Sequence, residues 1–344
     1  MEKYILGGYT KRTNDGLKYL SFDPVAPEMT LSPTQSHHKN PTWVTLNSDQ
    51  SMLLAIDSGQ DKGGLTLLLK QGDGTFAPVA QAFETKVAGC HITYIDSYRL
   101  AYVSNYHEGS IDVYQVAQDK QSLALVDRYF HQGSSVHPNQ QSPHVHMTQV
   151  SKDGAYLYAC DLGTDKVYVY RFKNNGLLDL VSDLSFKPGT GPRHLALHPT
   201  HDLLYVIGEL ANTTTVVKVL ADGQLAYDST VVNVPSEQAD DSAGAAIRIN
   251  ASGKQVYVST RFADVITVFD VDAEGRLSHS QTIPSGGKTP RDFILSQDQT
   301  HLLCAHQDND VLQVFAVSPT DGKLTALDLT ITAPECVNIV PILD

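Results

Sequence analysis

One pattern recurs along the chain: a polar turn, a short apolar or aromatic run, a second polar turn, then an alternating run rich in β-branched residues. It is plainest in Ser151–Phe172 (SKDGAYLYACDLGTDKVYVYRF) and Ala251–Val271 (ASGKQVYVSTRFADVITVFDV). Aligning the copies on the second-strand apolar or aromatic position makes Leu54, Tyr102, Tyr158, Tyr205, Tyr257 and Leu303 equivalent, at spacings of 48, 56, 47, 52 and 46 residues. The N-terminal YILGGY adds a seventh copy. Period-two alternation in Lys166–Phe172 and Val265–Val271 reads as strand. Asp153-Gly154, Asn175-Gly176, Asp222-Gly223 and Asp321-Gly322 supply the turns. No long amphipathic helix interrupts the series. Four strands per unit at this period predict an all-β fold, a seven-bladed β-propeller of four-stranded antiparallel blades. A pair of β-sandwiches would not need so regular a repeat.

The ends predict how the ring closes. The first unit lacks a strand before Lys3–Thr10, whereas Glu335–Ile342 (ECVNIVPI) is a spare strand after the seventh. Pairing the two would close the ring and remove an exposed edge, so residues 1–344 are expected to form one domain. With 41% apolar and 18% charged residues the chain can bury a core. A net charge of −13 argues against nucleic acid as a partner. A small anion remains possible where a few arginines converge. No apolar run is long enough for a membrane helix. Met1–Thr10 leads straight into strand-like sequence without the apolar stretch of a signal peptide. Cys90, Cys160, Cys304 and Cys336 are scattered, with no CxxC. These features together predict a cytoplasmic protein with no membrane partner.

The same register locates the chemistry. Twelve residues before the aligned position stand Thr42, Cys90, His146, Arg193, Ala245 and Arg291, and the last strand is expected to add Glu335. Four residues after it stand Ser58, Tyr106, Leu162, Glu209, Arg261 and Gln307. Propeller symmetry gathers equivalent positions around one axis, so His146, Arg193, Glu209, Arg261 and Arg291 are expected at one channel mouth, with Tyr106, His144, His194 and Gln307 nearby. Arginines grip carboxylates or phosphates. A carboxylate or imidazole beside them can move a proton, and an Arg or His donor can stabilise a charging carbonyl oxygen. That set suits opening or closing a lactone on an anionic sugar acid.

Competing motifs are weak. His144 and His146 share a strand face and are potential metal ligands, but no compact Cys/His/Asp set accompanies them, so neither metal nor cofactor is expected. No GxSxG elbow is present. Gly189–His194 (GTGPRH) lacks the third glycine of a dinucleotide fingerprint. With one Trp, Trp43, and no repeated Trp-Asp pair, WD40 is excluded.

At these residues the sequence resembles the seven-bladed lactonase propellers, which include bacterial 6-phosphogluconolactonase and fungal carboxymuconate cyclase. The matching segments are Gly8-Tyr9-Thr10, Asn105-Tyr106-x-x-Gly109-Ser110, Ser142-Pro143-His144-x-His146, Asp161-Leu162-Gly163-x-Asp165, Gly189-x-Gly191-Pro192-Arg193-His194, Glu209-Leu210, Ser259-Thr260-Arg261 and Pro290-Arg291-Asp292-Phe293. Gln140-Gln141, Thr260 and His306 depart from residues common in the family. The resemblance implies His146, Arg193, Glu209 and Arg261 as site residues; taken with the register, Glu209, His146 and Arg193 are expected to be catalytic, and Arg261, Arg291, His144, His194, Gln307 and Tyr106 to bind substrate. It implies hydrolysis of 6-phosphoglucono-δ-lactone in the pentose phosphate pathway. A carboxymuconate-type lactonizing cycloisomerase, or a propeller that only binds a ligand, are the alternatives.

Overall fold

The computed structural model describes residues 1–239 and 241–343. Its described residues form seven antiparallel sheets, six of them running in strand order from the axis outward, as the repeat predicts. Blade one holds Glu2–Gly8, Gly16–Asp23 and Glu28–Leu31, and the two-residue strand Ser36–His37 pairs beside Gly16–Leu17. Its innermost strand is Cys336–Ile342, antiparallel to Glu2–Gly8, so the two ends of the chain share one sheet. Blades two to seven follow in chain order with innermost strands Val44–Leu46, His91–Ile95, Val145–Val150, Pro192–Leu197, Ala243–Ile249 and Pro290–Leu295. Each innermost strand touches the next, and Cys336–Ile342 lies between those of blades seven and two, completing the circle. Among the described residues the single helical element is the 3₁₀ turn Ser236–Gln238.

No central core exists. The apolar side chains instead form seven clusters, one between each pair of neighbouring blades. The second strands read as continuous apolar runs because both of their faces are covered. In Gln255–Arg261, Val256 and Val258 pack toward blade five while Tyr257 packs toward blade seven. The outermost strands are less covered, and in Leu324–Thr332 half-buried Leu327, Leu329 and Ile331 accordingly alternate with exposed Asp328, Thr330 and Thr332.

The aligned tyrosines latch one blade to the next. Tyr102, Tyr158, Tyr205 and Tyr257 are fully buried. Their hydroxyls donate to the carbonyls of Gly176, Gly223, Gly275 and Gly322 at 2.6, 3.5, 3.0 and 2.8 Å. Each acceptor sits in the outer hairpin of the following blade at a φ of 65–82°, a left-handed conformation that glycine adopts without penalty. Tyr257→Phe keeps the ring and strands the buried Gly322 carbonyl, so it is expected to cost about 1–1.5 kcal/mol in chemical denaturation. An unchanged midpoint and slope would remove the latch from the account.

Candidate active site

Three site side chains from innermost strands, His146, Arg193 and Arg291, are delivered by a break in the strand ladder. Val145 and Met147 pair with Asp161 and Cys160, leaving His146 without a partner across the ladder. Arg193 is left out in the same way between Pro192 and His194, and Arg291 between Pro290 and Asp292. Such a bulge interrupts the alternation and re-aims one side chain, here into a small inner cavity lined by His146, Arg193, His194 and Arg291 with Tyr9, Thr42, Trp43, Cys90 and Val337.

The closing strand has the same break, and it corrects one expectation. Cys336 and Asn338 pair with Gly8 and Gly7, so Val337, not Glu335, is the residue turned to the axis. Glu335 precedes the strand at a φ of 50°. Its carboxylate accepts hydrogen bonds from the backbone N–H groups of Lys11, Arg12, Thr13 and Asn14 at 2.8–3.2 Å. It fixes the loop after the first strand.

The second strands supply the other level. Glu209 follows Leu203–Gly208, its N–H bonded to the Gly191 carbonyl at 2.8 Å and its own carbonyl accepting from Gly244 at 3.0 Å. Those two bonds hold it at the junction of blades five and six. Arg193 Nε lies 2.8 Å from Glu209 Oε2 and Arg261 Nη2 lies 2.9 Å from Oε1, with both guanidinium groups almost wholly buried. Arg193 Nη1 also donates to the Ala245 carbonyl at 2.5 Å, and Arg261 Nη2 to that of Gly244 at 3.2 Å. The Arg193 Nε contact is close but poorly aligned, and neither Nε–H has an acceptor in line. The two guanidinium groups therefore hold the carboxylate and keep a donor to spare.

Electrostatics set the protonation states. Burial works against the Glu209 carboxylate, but Arg261 and Arg193 outweigh it and hold the carboxyl below its ordinary 4.5. Burial also pulls Arg193 down to about 9, which leaves it a cation at neutral pH. His146 and His194 are held well below 6.5 by burial and by Arg193, so both rings are neutral. Burial pushes the Cys90 thiol up to about 12, which leaves it unreactive.

The inner cavity opens into a larger one of about 610 Å³. Tyr106, His146, Glu209, Arg261 and Arg291 line it together with Tyr9, Asn40, Thr42, Ser58, Cys90 and His107. The structure thus brings together Tyr106, His146, Arg193, His194, Glu209, Arg261 and Arg291. His144 and Gln307 stand behind the lining instead. His144 stacks on Tyr106 with ring centroids 4.2 Å apart, its Nδ1 2.7 Å from the Tyr106 carbonyl oxygen. Gln307 accepts a 3.0 Å hydrogen bond from Arg291 Nη1. The positions where the sequence departs from the family's common residues are also set back: Gln140 braces the Leu162 carbonyl and Asp165, and His306 bridges Ser285 and the Val311 carbonyl. Among the described residues no cluster of three His, Cys, Asp or Glu side chains is arranged to hold a metal ion.

Sequence reasoning missed Tyr9, Trp43 and four lysines, Lys11, Lys39, Lys62 and Lys86, which line the larger cavity from blades one to three. A signal was available for two of them. Lys39 and Lys86 precede Thr42 and Cys90 by three and four residues in equivalent loops.

Comparison with known proteins agrees with this architecture over nearly the full length. A 6-phosphogluconolactonase of Bacillus subtilis is 30% identical over 339 residues, covering 97% of each chain. The solved structure of a Lactobacillus plantarum protein superposes with a TM-score of 0.95 at 30% identity over 100% of both chains. A periplasmic gluconolactonase of Pseudomonas aeruginosa superposes with a TM-score of 0.93 at 28% identity over 99% of both. Among the described residues no helix is long and apolar enough to cross a membrane. Residues 3–341 match the family described as "Lactonase, 7-bladed beta-propeller", and the chain belongs to that family.

Proposed function

We propose that this protein hydrolyses a sugar-acid lactone, with 6-phosphoglucono-δ-lactone as its substrate, and that the whole chain works as one domain. The observation that carries the reading is Glu209 clamped between Arg193 and Arg261 on one wall of a cavity whose opposite wall bears four lysines. In this reading Glu209 takes a proton from water as the water attacks the lactone carbonyl carbon. Negative charge grows on the carbonyl oxygen, where Arg193 and Arg261 stabilise it. As the ring C–O bond breaks, Glu209 returns the proton to the departing ring oxygen. His146, neutral, donates or accepts a hydrogen bond that orients the water, and Arg291 steadies the substrate's hydroxyl edge. A carboxylate held below its ordinary range is a weak base, which suits an ester that opens readily by itself. The reaction belongs to the pentose phosphate pathway, and a phosphorylated lactone is met in the cytoplasm because its charge keeps it from crossing membranes unaided.

The test is hydrolysis of fresh 6-phosphoglucono-δ-lactone with the spontaneous rate subtracted. Turnover is expected, at a kcat/KM above that for glucono-δ-lactone. No rate above the spontaneous one on either lactone overturns the reading. The pH profile gives a second check. A base whose pKa is lowered stays deprotonated as pH falls, so kcat, which does not report the free substrate's phosphate with its second pKa of about 6, should be flat from about pH 8 to about pH 5.5, measured where circular dichroism shows the protein folded. An acidic limb centred near 6.5 would assign the proton transfer to a histidine in an ordinary environment, which none of the pocket histidines has.

A further inference from the structure

The larger cavity is chemically two-sided. Glu209, Arg261 and Arg291 come from blades five to seven. Facing them are Lys11, in the loop after the first strand of blade one, and Lys39, in the loop leading into blade two. Lys62, at the hairpin joining Met52–Gly59 to Lys62–Lys70, and Lys86, between blades two and three, complete that wall. Each comes from a different loop, and none of the four forms a salt bridge with another described residue. Lys288, in the comparable loop of blade seven, is neutralised by Asp264 at 3.0 Å. The one carboxylate among the residues on the lysine side is Asp61, which is exposed. In a chain of net charge −13, four lysines without a carboxylate partner gather on one cavity, Lys11 with its ammonium 4.5 Å over the Tyr9 ring, and their summed field favours an anion of more than one negative charge. Lysine binds such a group as a flexible point charge, whereas the paired arginines opposite fix planar geometry.

We propose that Lys11, Lys39, Lys62 and Lys86 form a phosphate-binding wall that selects phosphorylated over unphosphorylated lactones; this rests on the lactonase reading above. A substrate with a carbonyl at one end and a phosphate monoester at the other then spans the cavity, its carbonyl at Arg193 and Arg261 and its phosphate among the lysines. The wall sets specificity, and the Glu209 side carries the reaction.

The test compares the full chain with the quadruple variant Lys11→Gln, Lys39→Gln, Lys62→Gln and Lys86→Gln, whose exposed positions leave the core intact. On 6-phosphoglucono-δ-lactone kcat/KM should fall about 100-fold, and by roughly tenfold more than any fall on glucono-δ-lactone. Equal losses on the two lactones overturn the proposal. Calorimetry gives a reading that needs no turnover. Binding of 6-phosphogluconate should weaken by roughly tenfold or more in the variant, well beyond any change for gluconate. Equal affinity of the two proteins for 6-phosphogluconate overturns the wall. A wild-type protein that opens neither lactone removes the lactonase reading alone, because binding of 6-phosphogluconate still decides the wall.

Discussion

Glu209→Gln is expected to lower kcat on 6-phosphoglucono-δ-lactone by about 10²–10⁴-fold, the range that a positioned general base supplies. The amide fills the same space but accepts no proton and carries no charge. It also leaves Arg193 and Arg261, both almost wholly buried, without their shared counter-ion, so some loss of thermal stability accompanies the kinetic effect. Anion binding separates the two consequences. With the carboxylate gone the guanidinium pair is freer to hold an anion, so 6-phosphogluconate should bind at least as well as to the wild type while turnover collapses. His146→Asn is the comparison. An orienting residue mainly raises KM, so its kcat should fall far less. If His146→Asn loses the larger factor and Glu209→Gln stays near wild type, the base is the imidazole and the assignment is reversed.

Ending the chain after Pro334 is expected to abolish soluble folding. The truncation removes the innermost strand of blade one and exposes the full hydrogen-bonding edge of Glu2–Gly8. It deletes Ile339 from the cluster between blades seven and one, Ile342 from the cluster between blades one and two, and Val337 from the channel. Burying three such side chains contributes roughly 5–9 kcal/mol, comparable to the whole stability of a typical protein. The loop carrying Lys11 also loses the Glu335 carboxylate that holds four of its N–H groups. Expression of the shortened chain should give insoluble protein, and adding residues 335–344 as a separate peptide during refolding should recover part of the native signal. A shortened chain that folds with wild-type secondary structure would show that closure is dispensable.

The blades were legible because a strand covered on both faces must repeat its apolar run and its turn chemistry in every unit. The gathering of the candidate site was legible for the same reason: His146, Arg193, Glu209, Arg261 and Arg291 each occupy one of two fixed distances from an aligned apolar residue. The count failed at Glu335. There the strand comes from the far end of the chain, no hairpin ties it to its neighbour, and a bulge shifts the register to Val337. The lysine wall was invisible to the count because it is built from loops, whose lengths differ between units. The supporting roles of His144 and Gln307 depend on which neighbour a side chain leans against, and spacing carries no information about that.

The tyrosine latches divide the ring into two arcs. Hydroxyl-to-carbonyl bonds tie blades three to seven in unbroken succession. At the equivalent position blades two and seven carry Leu54 and Leu303, which have no hydroxyl to give. Blades one and two are joined differently, by the Phe76 N–H donating to the Tyr19 hydroxyl at 3.0 Å. At the two junctions without a tyrosine latch other bonds cross: Arg12 pairs with Asp310 and Asp292 accepts from the Ile339 N–H between blades seven and one, and Asp96 accepts from the Ser48 N–H between blades two and three. Glu209, Arg193 and Arg261 belong to the long arc, while Lys11, Lys39 and Lys62 lie on the short one. Native-state hydrogen exchange measures what the latch adds to those bonds: release of the amides of Met52–Gly59 and Gly16–Asp23 ahead of those of Leu203–Gly208 and Gln255–Arg261 gives it the deciding weight, and simultaneous release gives it none. Release in that order would put mobility and the lysines on one arc, and rigidity and the Glu209 cluster on the other.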